Sequence, residues 1–260
     1  MLDAPEVVAG ARVSVIVPTH DRTALLADAL RSVAAQRPTP LEVRVANDGD
    51  QPVDEALAAL PLLELTVIPT DARRLAIARN QAAAGARGEV IAFLDDDDRW
   101  LPGHLAGLAA AFDDPSVMVA WRDVEVVRER LEPGGARTSL DRRTIAHDWD
   151  AGLMRTDDYL PPSAWGVRRA FFERLGGFDE SFACSEDWDF LLRAARLTTP
   201  RRVPGVTVEI RMRDYGHLSD LQAPGRREAL DRLSARHGLP HLELRTFWEV
   251  AAEVAAARGR

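Results

Sequence analysis

Four consecutive aspartates at residues 95–98 are the side chains in this sequence best suited to bind a cation. They follow an apolar run at residues 89–94 and precede Trp100, so they begin at the end of a buried segment. Carboxylates crowded at such a point raise one another's pKa and cost stability unless a cation is present. Mg²⁺ and Mn²⁺ prefer oxygen ligands, typically one or two carboxylates with substrate phosphates and water. The alternative is a solvated charge cluster, the usual role of an acidic run.

A second acidic pair, Glu186 and Asp187, follows Ser185 at the start of a predicted helix. A carboxylate there could serve as a general base. Judged by these residues alone, an ordinary helix start is the simpler interpretation. Ser185 would be the N-cap, and both acids would face the positive end of the helix dipole.

The aspartates at residues 95–98 follow one of several repeated strand–helix units in the first half of the chain. These units predict a parallel sheet with right-handed crossovers, and ligands bind beyond the carboxyl ends of such strands. The segments 18–22, 47–50 and 95–98 should therefore meet in one crevice. The predicted strands are residues 12–17 (ended by Pro18), 41–46, 62–68 and 89–94, and the helices are 23–36, 72–84 (capped by Asp71) and one that opens at Pro102.

The second half of the chain is less regular, and residues 132–151 are predicted to form a long polar loop. An apolar stripe in the last helix indicates a core face or the seam of a homodimer formed through the C-terminal helices. The other elements predicted are strands at 117–127, 164–167 and 203–210, and helices at 169–175, 185–197, 222–236 and 240–257.

Composition excludes several classes of protein. The net charge of −8 argues against a nucleic-acid partner, which would need a basic face. The single cysteine, Cys184, excludes an internal disulfide framework and a multi-cysteine zinc site. All 33 basic residues are arginine, so P-loop and Schiff-base lysines are absent. No apolar run is long enough for an integral membrane segment. We expect a cytoplasmic protein, or one attached peripherally to the inner face of the membrane.

Four segments in order resemble the successive motifs of family 2 glycosyltransferases with the GT-A fold. They are VSVIVPTHDR, VANDGD, ARNQAAAGARGEVIAFLDDDDRWLPGHL and GGFDESFACSEDWDFLLRA, within residues 12–196. The resemblance implies an α/β, Rossmann-like, mostly parallel central sheet flanked by helices, with C-terminal helices. It implies one GT-A domain at residues 1–220, with a nucleotide-binding half at about 12–120 and an acceptor half at 121–220. A helical extension at 221–260 would pack on it.

The resemblance also assigns a nucleotide site. Asp48 would accept a hydrogen bond from the imide N–H of a uracil-like base, although an Asx turn before Gly49 is a good alternative. Arg79 would approach the base or the diphosphate. The other nucleotide-binding residues expected are Pro18, Thr19 and Asp21 at the base, and Asp95 and Asp96 in the acidic run.

The Asp-x-Asp motif of the family maps onto Asp95 and Asp97, with the register open by one residue. Asp97 would hold Mn²⁺ or Mg²⁺, and Asp95 would hold the ribose or a metal-bound water. His217 would complete the metal site after a small insertion. Many members of the family have a histidine here that helps to hold the metal or the diphosphate. Without an insertion, Arg213 aligns with that histidine and could bind the diphosphate without metal.

In the Glu-Asp motif of the family, the aspartate is the general base, which implies that Asp187 deprotonates the acceptor hydroxyl. Glu186, Gly177 and Trp188 would border the acceptor, although core packing is the simpler role for Trp188. Asp189 faces away from Asp187 and is expected to be structural.

The resemblance implies an inverting, metal-dependent glycosyltransferase. The donor would be a nucleoside-diphosphate sugar, most often a UDP-sugar in this family, and the acceptor a glycan, a lipid-linked molecule or a small metabolite. The alternative is a non-catalytic nucleotide-sugar or glycan binding protein of the same fold. A dinucleotide-binding dehydrogenase is disfavoured because no G-x-G-x-x-G follows a strand.

Overall fold

A computed structural model describes residues 13–58, 60, 63–71, 73–131, 137–213 and 225–257. Within these ranges a single mixed sheet carries helices on its faces and at its end. The strands are β1 Val13–Thr19, β2 Glu42–Asn47, β3 Leu65–Pro69, β4 Val90–Phe93, β5 Arg99–Trp100, β6 Val119–Leu131, β7 Arg137–Ile145, β8 Trp165–Arg168 and β9 Arg201–Met212. The helices are α1 Thr23–Ala34, α2 Asp54–Ala58, α3 Leu75–Ala84, α4 His104–Ala111, α5 Arg169–Arg174, α6 Glu186–Ala194, α7 Arg226–His237 and α8 Phe247–Ala257.

The first half of the sheet is parallel and brings the predicted loops together. The strand order is β3-β2-β1-β4-β8-β6-β9-β5, with β7 paired to β6. Within β3-β2-β1-β4 every pairing is parallel, and all seven residues of β1 are buried. The carboxyl ends of β1, β2 and β4 therefore meet at one edge, as the sequence predicts.

Two boundaries differ from the predictions in this half. β1 does not end at Pro18 but continues to Thr19, since Pro18 pairs with Ala46 and Thr19 with Asn47 of β2. α3 begins at Leu75, later than expected. Arg74 rather than Asp71 occupies its N-cap position, and no side chain caps the helix.

The second half of the sheet is more mixed. β8 pairs antiparallel with both β4 and β6, whereas β9 runs parallel to β6. β5, which directly follows the acidic run, pairs antiparallel with β9. This last pairing holds the residues after the acidic run against β9. The acidic run therefore connects β4, in the parallel half of the sheet, to β9 in the mixed half.

The predicted polar loop at 132–151 is wrong over residues 137–145, which form strand β7. Residues 132–136 lie outside the described ranges. β7 pairs antiparallel with β6, with Ile145 opposite Val124. Most of its side chains are exposed, and Arg142 reaches across to Glu125. An edge strand with charged residues on a solvated face lacks the apolar alternation that reveals a strand in a sequence.

The core below the predicted crevice is aromatic. Trp165 is fully buried and stacks on Phe190 with ring centroids 5.6 Å apart, and Phe93 packs edge-on against Trp165. Phe178 completes the cluster from the loop after α5. These rings join β4, β8 and α6, and so fix the distance between the acidic loop and the start of α6.

The C-terminal helices pack on this chain's own domain. Leu233 of α7 and Ala251 of α8 are fully buried, and the guanidinium of Arg143 on β7 lies 3.9 Å from the ring centroid of Trp248. Of the apolar stripe in the last helix, Ala251 lies in the core while Phe247 and Trp248 are half-buried. The homodimer seam stays a prediction. The predicted boundary at 220/221 falls in residues 214–224, outside the described ranges. No described helix is both long and apolar enough to cross a membrane.

The turn after α5 is fixed to α3 rather than free beside a cavity. Gly176 and Gly177 both have positive φ, +77° and +68°. The side chain of Asn80 donates a hydrogen bond to the carbonyl of Phe178 and accepts one from its backbone N–H. A Cβ added to Gly177 would lie 2.6 Å from Asn80 Oδ1, so only glycine fits there.

This contact yields a matched pair of stability predictions. Gly177→Ala should lower the free energy of unfolding by about 2–3 kcal/mol, because the cost of a strained φ is added to the cost of a clash with Asn80. Gly176→Ala should cost about 1 kcal/mol, since nothing lies within 4 Å of its added Cβ and only the φ strain remains. Urea unfolding of both variants measures the difference, and equal losses would contradict the assigned role of Asn80.

Candidate active site

A cavity of about 540 Å³ lies where the carboxyl ends of β1, β2 and β4 face the start of α6. It brings together side chains from both halves of the chain. Ten of the thirteen residues predicted for the site line it: Pro18, Thr19, Asp48, Arg79, Asp95, Asp96, Asp97, Glu186, Asp187 and Trp188.

The other three predicted residues are placed differently. Gly177 is not in the cavity wall, because its turn is bound to α3 as described above. Asp21 is not in the wall either. It is exposed and accepts a hydrogen bond from the backbone N–H of Gln51, which ties the loops after β1 and β2 together. His217 lies outside the described residues.

Asp48 lines the cavity, and its carboxylate is held in place by two hydrogen bonds. Its Oδ1 accepts hydrogen bonds from the hydroxyl of Thr70 and from the backbone N–H of Arg73. The side chain that makes an Asx-type contact at this turn is that of Asn47, whose Oδ1 accepts a hydrogen bond from the Gly49 N–H at 3.4 Å. The alternative role of Asp48 as an Asx-turn residue is therefore not what the structure shows.

The four aspartates of the acidic run alternate in their surroundings. Asp96 and Asp98 are nearly fully buried and accept hydrogen bonds from Thr19 (2.7 Å) and Ser163 (2.6 Å). The side chains of Asp95 and Asp97 are 27% and 14% exposed. This alternation favours Asp95 and Asp97 as the pair available to a ligand, which supports the register expected for the Asp-x-Asp motif.

Burial and mutual repulsion perturb this run strongly. Burial, together with the charge of Asp97, raises the pKa of Asp96 to about 7, although the Thr19 hydroxyl and Arg22 oppose the shift. The same two causes hold the pKa of Asp98 well above its usual range. Burial and mutual repulsion thus disfavour the ionised form of these carboxyls, and a bound cation would stabilise it.

Arginines supply part of the missing positive charge. Asp97 Oδ2 lies 3.2 Å from Arg22 and 2.6 Å from Arg213. Arg213 follows β9, and its position on Asp97 agrees with the alignment without an insertion, which puts it at the metal or diphosphate. Arg22 was missed at the sequence level, although it stands within the first quoted motif.

The acidic run can be tested for its fit to a divalent ion. Among the described residues, no group of three or more His, Cys, Asp or Glu side chains is placed to hold one. Mg²⁺ nevertheless commonly binds through one or two carboxylates plus substrate phosphates and water. Asp95 and Asp97 are such a donor set, and their loop needs positive charge. The residues therefore fit an ion that binds together with a diphosphate better than an ion that binds alone.

Arg79 links the acidic run to the start of α6. Its side chain is 1% exposed, and it donates to Asp95 through Nη2 and to Glu186 Oε1 through Nη1 at 2.6 Å. Burial alone would lower the pKa of the guanidinium, but the charges of Asp95 and Glu186 outweigh it and raise that pKa. Arg79 thus lines the cavity, and both of its terminal nitrogens bind protein carboxylates. Its role in nucleotide binding stays a prediction.

Glu186 and Asp187 differ in what holds them. Burial raises the pKa of Glu186 to about 7 in spite of Arg79, and its carboxylate is bound to that arginine. Asp187 accepts one hydrogen bond, from the backbone N–H of Trp188 at 2.9 Å. Burial raises the pKa of Asp187 as well, with Arg79 opposing. Of the two, Asp187 has the freer carboxylate, while Glu186 serves to hold Arg79.

The start of α6 is not the ordinary helix start that the sequence alone favours. Ser185 occupies the N-cap position, but its φ is +63° and its side chain makes no capping hydrogen bond. Non-glycine residues in the left-handed region are strained and concentrate at functional sites. The backbone therefore turns sharply at Ser185, immediately before the two acids.

Behind the site, the remaining side chains of α6 are structural. Trp188 is 5% exposed and donates its indole N–H to the carbonyl of Met154, which supports the core alternative over stacking on an acceptor. Asp189 is fully buried and bonded to Arg193 and His237. The prediction that Asp189 is structural is confirmed.

Comparison with known proteins assigns this site to a family. The sequence profile described as Glycosyl transferase family 2 matches residues 14–176, more than half of the chain. The chain belongs to glycosyltransferase family 2. The predicted family membership is confirmed, and with it the general class of activity.

Relatives of this glycosyltransferase occur in several bacteria. An uncharacterized glycosyltransferase, YwdF of Bacillus subtilis, is 32% identical over 91% of this chain and 88% of its own length. The O-antigen biosynthesis protein RfbC of Myxococcus xanthus is 27% identical over 72% of this chain, which matches only 15% of RfbC.

The fold of this glycosyltransferase is also found among solved structures. The crystal structure of S. aureus TarS 1–349 in complex with UDP-GlcNAc superposes with a TM-score of 0.65. It is 21% identical, and the match covers 95% of this chain and 71% of that one. The predicted GT-A type α/β fold is thereby confirmed.

The bridge formed by Arg79 makes a prediction for stability. Arg79→Gln should lower the free energy of unfolding of this glycosyltransferase by about 3–5 kcal/mol, because Asp95 and buried Glu186 both lose their ion-pair partner. Arg74→Gln is the matched control. Its exposed guanidinium donates a hydrogen bond to the carbonyl of Glu180 and forms no ion pair within the described residues, so a change within about 0.5 kcal/mol is expected. Denaturant unfolding compares the two, and similar small losses would show that the bridge contributes little.

Proposed function

We propose that this chain transfers a sugar from a UDP-sugar to an acceptor hydroxyl in a single inverting displacement, with a divalent metal ion and Asp187 as general base. One observation carries the proposal: the acidic run and Asp187, far apart in sequence, line the same cavity. Family membership supports the reaction class. The TarS structures with UDP-GlcNAc and with UDP are the reason to begin with uridine donors.

The donor half of the cavity would bind the nucleotide. Asp48, held by Thr70 and Arg73, presents an oriented acceptor for the imide N–H of a uracil ring. Asp95 and Asp97 are the partly exposed acids at the place of the diphosphate. Family 2 enzymes of this fold generally use a divalent metal, and such an ion would stabilise the charge that develops on the leaving diphosphate. Arg22 and Arg213 add fixed positive charge on the same side.

Asp187 would act on the acceptor. It takes the proton from the acceptor hydroxyl as that oxygen bonds to the anomeric carbon and the bond to the diphosphate oxygen breaks on the opposite face. A raised pKa makes its carboxylate a stronger base than an exposed aspartate, and proton transfer of this kind typically contributes about 10²–10⁴-fold. Glu186 and Arg79 position the base and connect it to Asp95.

The donor site can be tested by thermal shift. UDP with Mn²⁺ should raise the melting temperature, by an amount equivalent to about 2.7 kcal/mol at one hundred times Kd. Mn²⁺ without nucleotide should give little shift, because the carboxylates need the diphosphate to complete the ion's ligands.

Asp97→Ala and EDTA should each remove most of the UDP-dependent shift. Asp113→Ala, at an exposed residue outside the cavity, is the control and should keep it. A UDP shift that survives both EDTA and Asp97→Ala would contradict the assigned metal site.

The base can be tested by rate. Asp187→Asn should reduce sugar transfer by about 10²–10⁴-fold while UDP still raises the melting temperature. Because Asp187 must be ionised to accept a proton and burial raises its pKa, the wild-type rate should fall on acidification at a pH above the ordinary aspartate value of 3.8. Initial rates of UDP release across pH measure both effects. Full activity in Asp187→Asn would remove the assignment.

The second candidate function is a non-catalytic binding protein of the same fold. It predicts the same UDP-dependent thermal shift but no UDP release from any UDP-sugar, with or without Mn²⁺. The partly free carboxylate of Asp187 beside the donor acids favours the enzyme.

A further inference from the structure

The carboxyl groups in the cavity wall differ in whether they have a partner. Most are bonded to an arginine or a hydroxyl: Asp48, Asp95, Asp96, Asp97, Asp98, Asp157 and Glu186. Among the described cavity residues that are not exposed, Asp158 and Asp187 are the carboxyls with neither an ion pair nor a side-chain hydrogen bond. Asp187 is the proposed base, and Asp158 has no role in the mechanism above.

The backbone around Asp158 is held firmly. The preceding residue, Asp157, forms an ion pair with Arg245 at 2.6 Å. The following residue, Tyr159, is fully buried, and its hydroxyl accepts a hydrogen bond from the backbone N–H of Asp150. Asp158 Oδ1 accepts one weak hydrogen bond, 3.2 Å from the N–H of Leu160. Its other oxygen has no hydrogen-bond partner within the described structure, so the carboxyl is fixed in place with one oxygen open to the cavity.

Asp158 and Asp187 act on one another electrostatically. Burial raises the pKa of Asp158 well above its usual range, and the charges of Asp187 and Glu186 raise it further against the opposing charge of Arg226. Both carboxyls line the same cavity. A ligand hydroxyl that enters the cavity at Asp158 could donate a hydrogen bond to its open oxygen.

We propose that Asp158 binds the acceptor, accepting a hydrogen bond from a second hydroxyl next to the one that Asp187 deprotonates. This rests on the proposed transferase function and specifies its acceptor as a molecule with neighbouring hydroxyls, such as a sugar or a polyol. The reaction is unchanged. The reacting oxygen bonds to the anomeric carbon, its proton passes to Asp187, and the donor's bond to UDP breaks. The second hydroxyl keeps its proton and orients the acceptor.

Two small alcohols that differ by one hydroxyl test this without knowledge of the natural acceptor. The wild-type protein is incubated with a UDP-sugar, Mn²⁺ and either 1,2-propanediol or 1-propanol, and the glycosides are quantified by mass spectrometry. The diol should be glycosylated about tenfold faster or more, because a site with an open carboxyl oxygen discriminates against a ligand that lacks the matching donor. Equal use of the two alcohols would overturn the proposal.

Variants assign that discrimination to Asp158. In Asp158→Asn the preference for the diol should fall by about tenfold, through a higher KM for the diol, while the UDP-dependent thermal shift remains. Asp113→Asn removes the same charge from an exposed position outside the cavity and should keep the preference. A preference unchanged in Asp158→Asn would also overturn the proposal.

The proposed function has a separate readout. No UDP release from any UDP-sugar and no UDP-dependent thermal shift in the wild-type protein would be a failure of the transferase proposal itself, whatever the preference between the two alcohols.

Discussion

The site depends on one buried cation. Arg79 lies between Asp95, which follows β4, and Glu186, which begins α6, so a single guanidinium joins the two acidic motifs of the chain. Glu186 is buried and depends on this guanidinium for its counter-charge, since an unpaired buried charge costs several kcal/mol. The aromatic cluster below holds β4 and α6 together, and Arg79 connects the acidic run to the start of α6 within that frame. A ligand that moved Asp95 would therefore also change the position of Arg79 and its contact with Glu186 at the start of α6.

The acidic run shows how a protein keeps a charged loop ready for ligand. Two of its aspartates are anchored to Thr19 and Ser163, and the alternate two are left partly exposed. The anchors come from different elements, β1 and the turn before β8, so the loop is held from both sides. This rigidity keeps Asp95 and Asp97 at fixed positions, which lowers the entropy lost when a diphosphate binds.

The sequence predicts those parts of the molecule that local patterns encode. The apolar strands β1, β2 and β4 and the loops after them are recoverable, because buried parallel strands are continuous apolar runs and their carboxyl ends share an edge. Strand β7 cannot be predicted in this way, since its exposed arginines do not give the alternation of apolar and polar residues that indicates a strand. The dual pairing of Arg79 and the contact of Asp21 with the loop after β2 are long-range, and nothing in their neighbours specifies the partner. Asp158 falls in the same class: its isolation is visible only when the whole cavity wall is known.

The wall of the cavity around Asp158 and Asp187 includes Leu230 of α7 and Phe247 and Val250 of α8. These helices come after the segment that matches the family profile, which ends at residue 176. The acidic run and the helical part of the wall are thus encoded in separate stretches of the gene. Substitutions in α7 and α8 can change the shape of the cavity while the loops after β1, β2 and β4 keep their sequence.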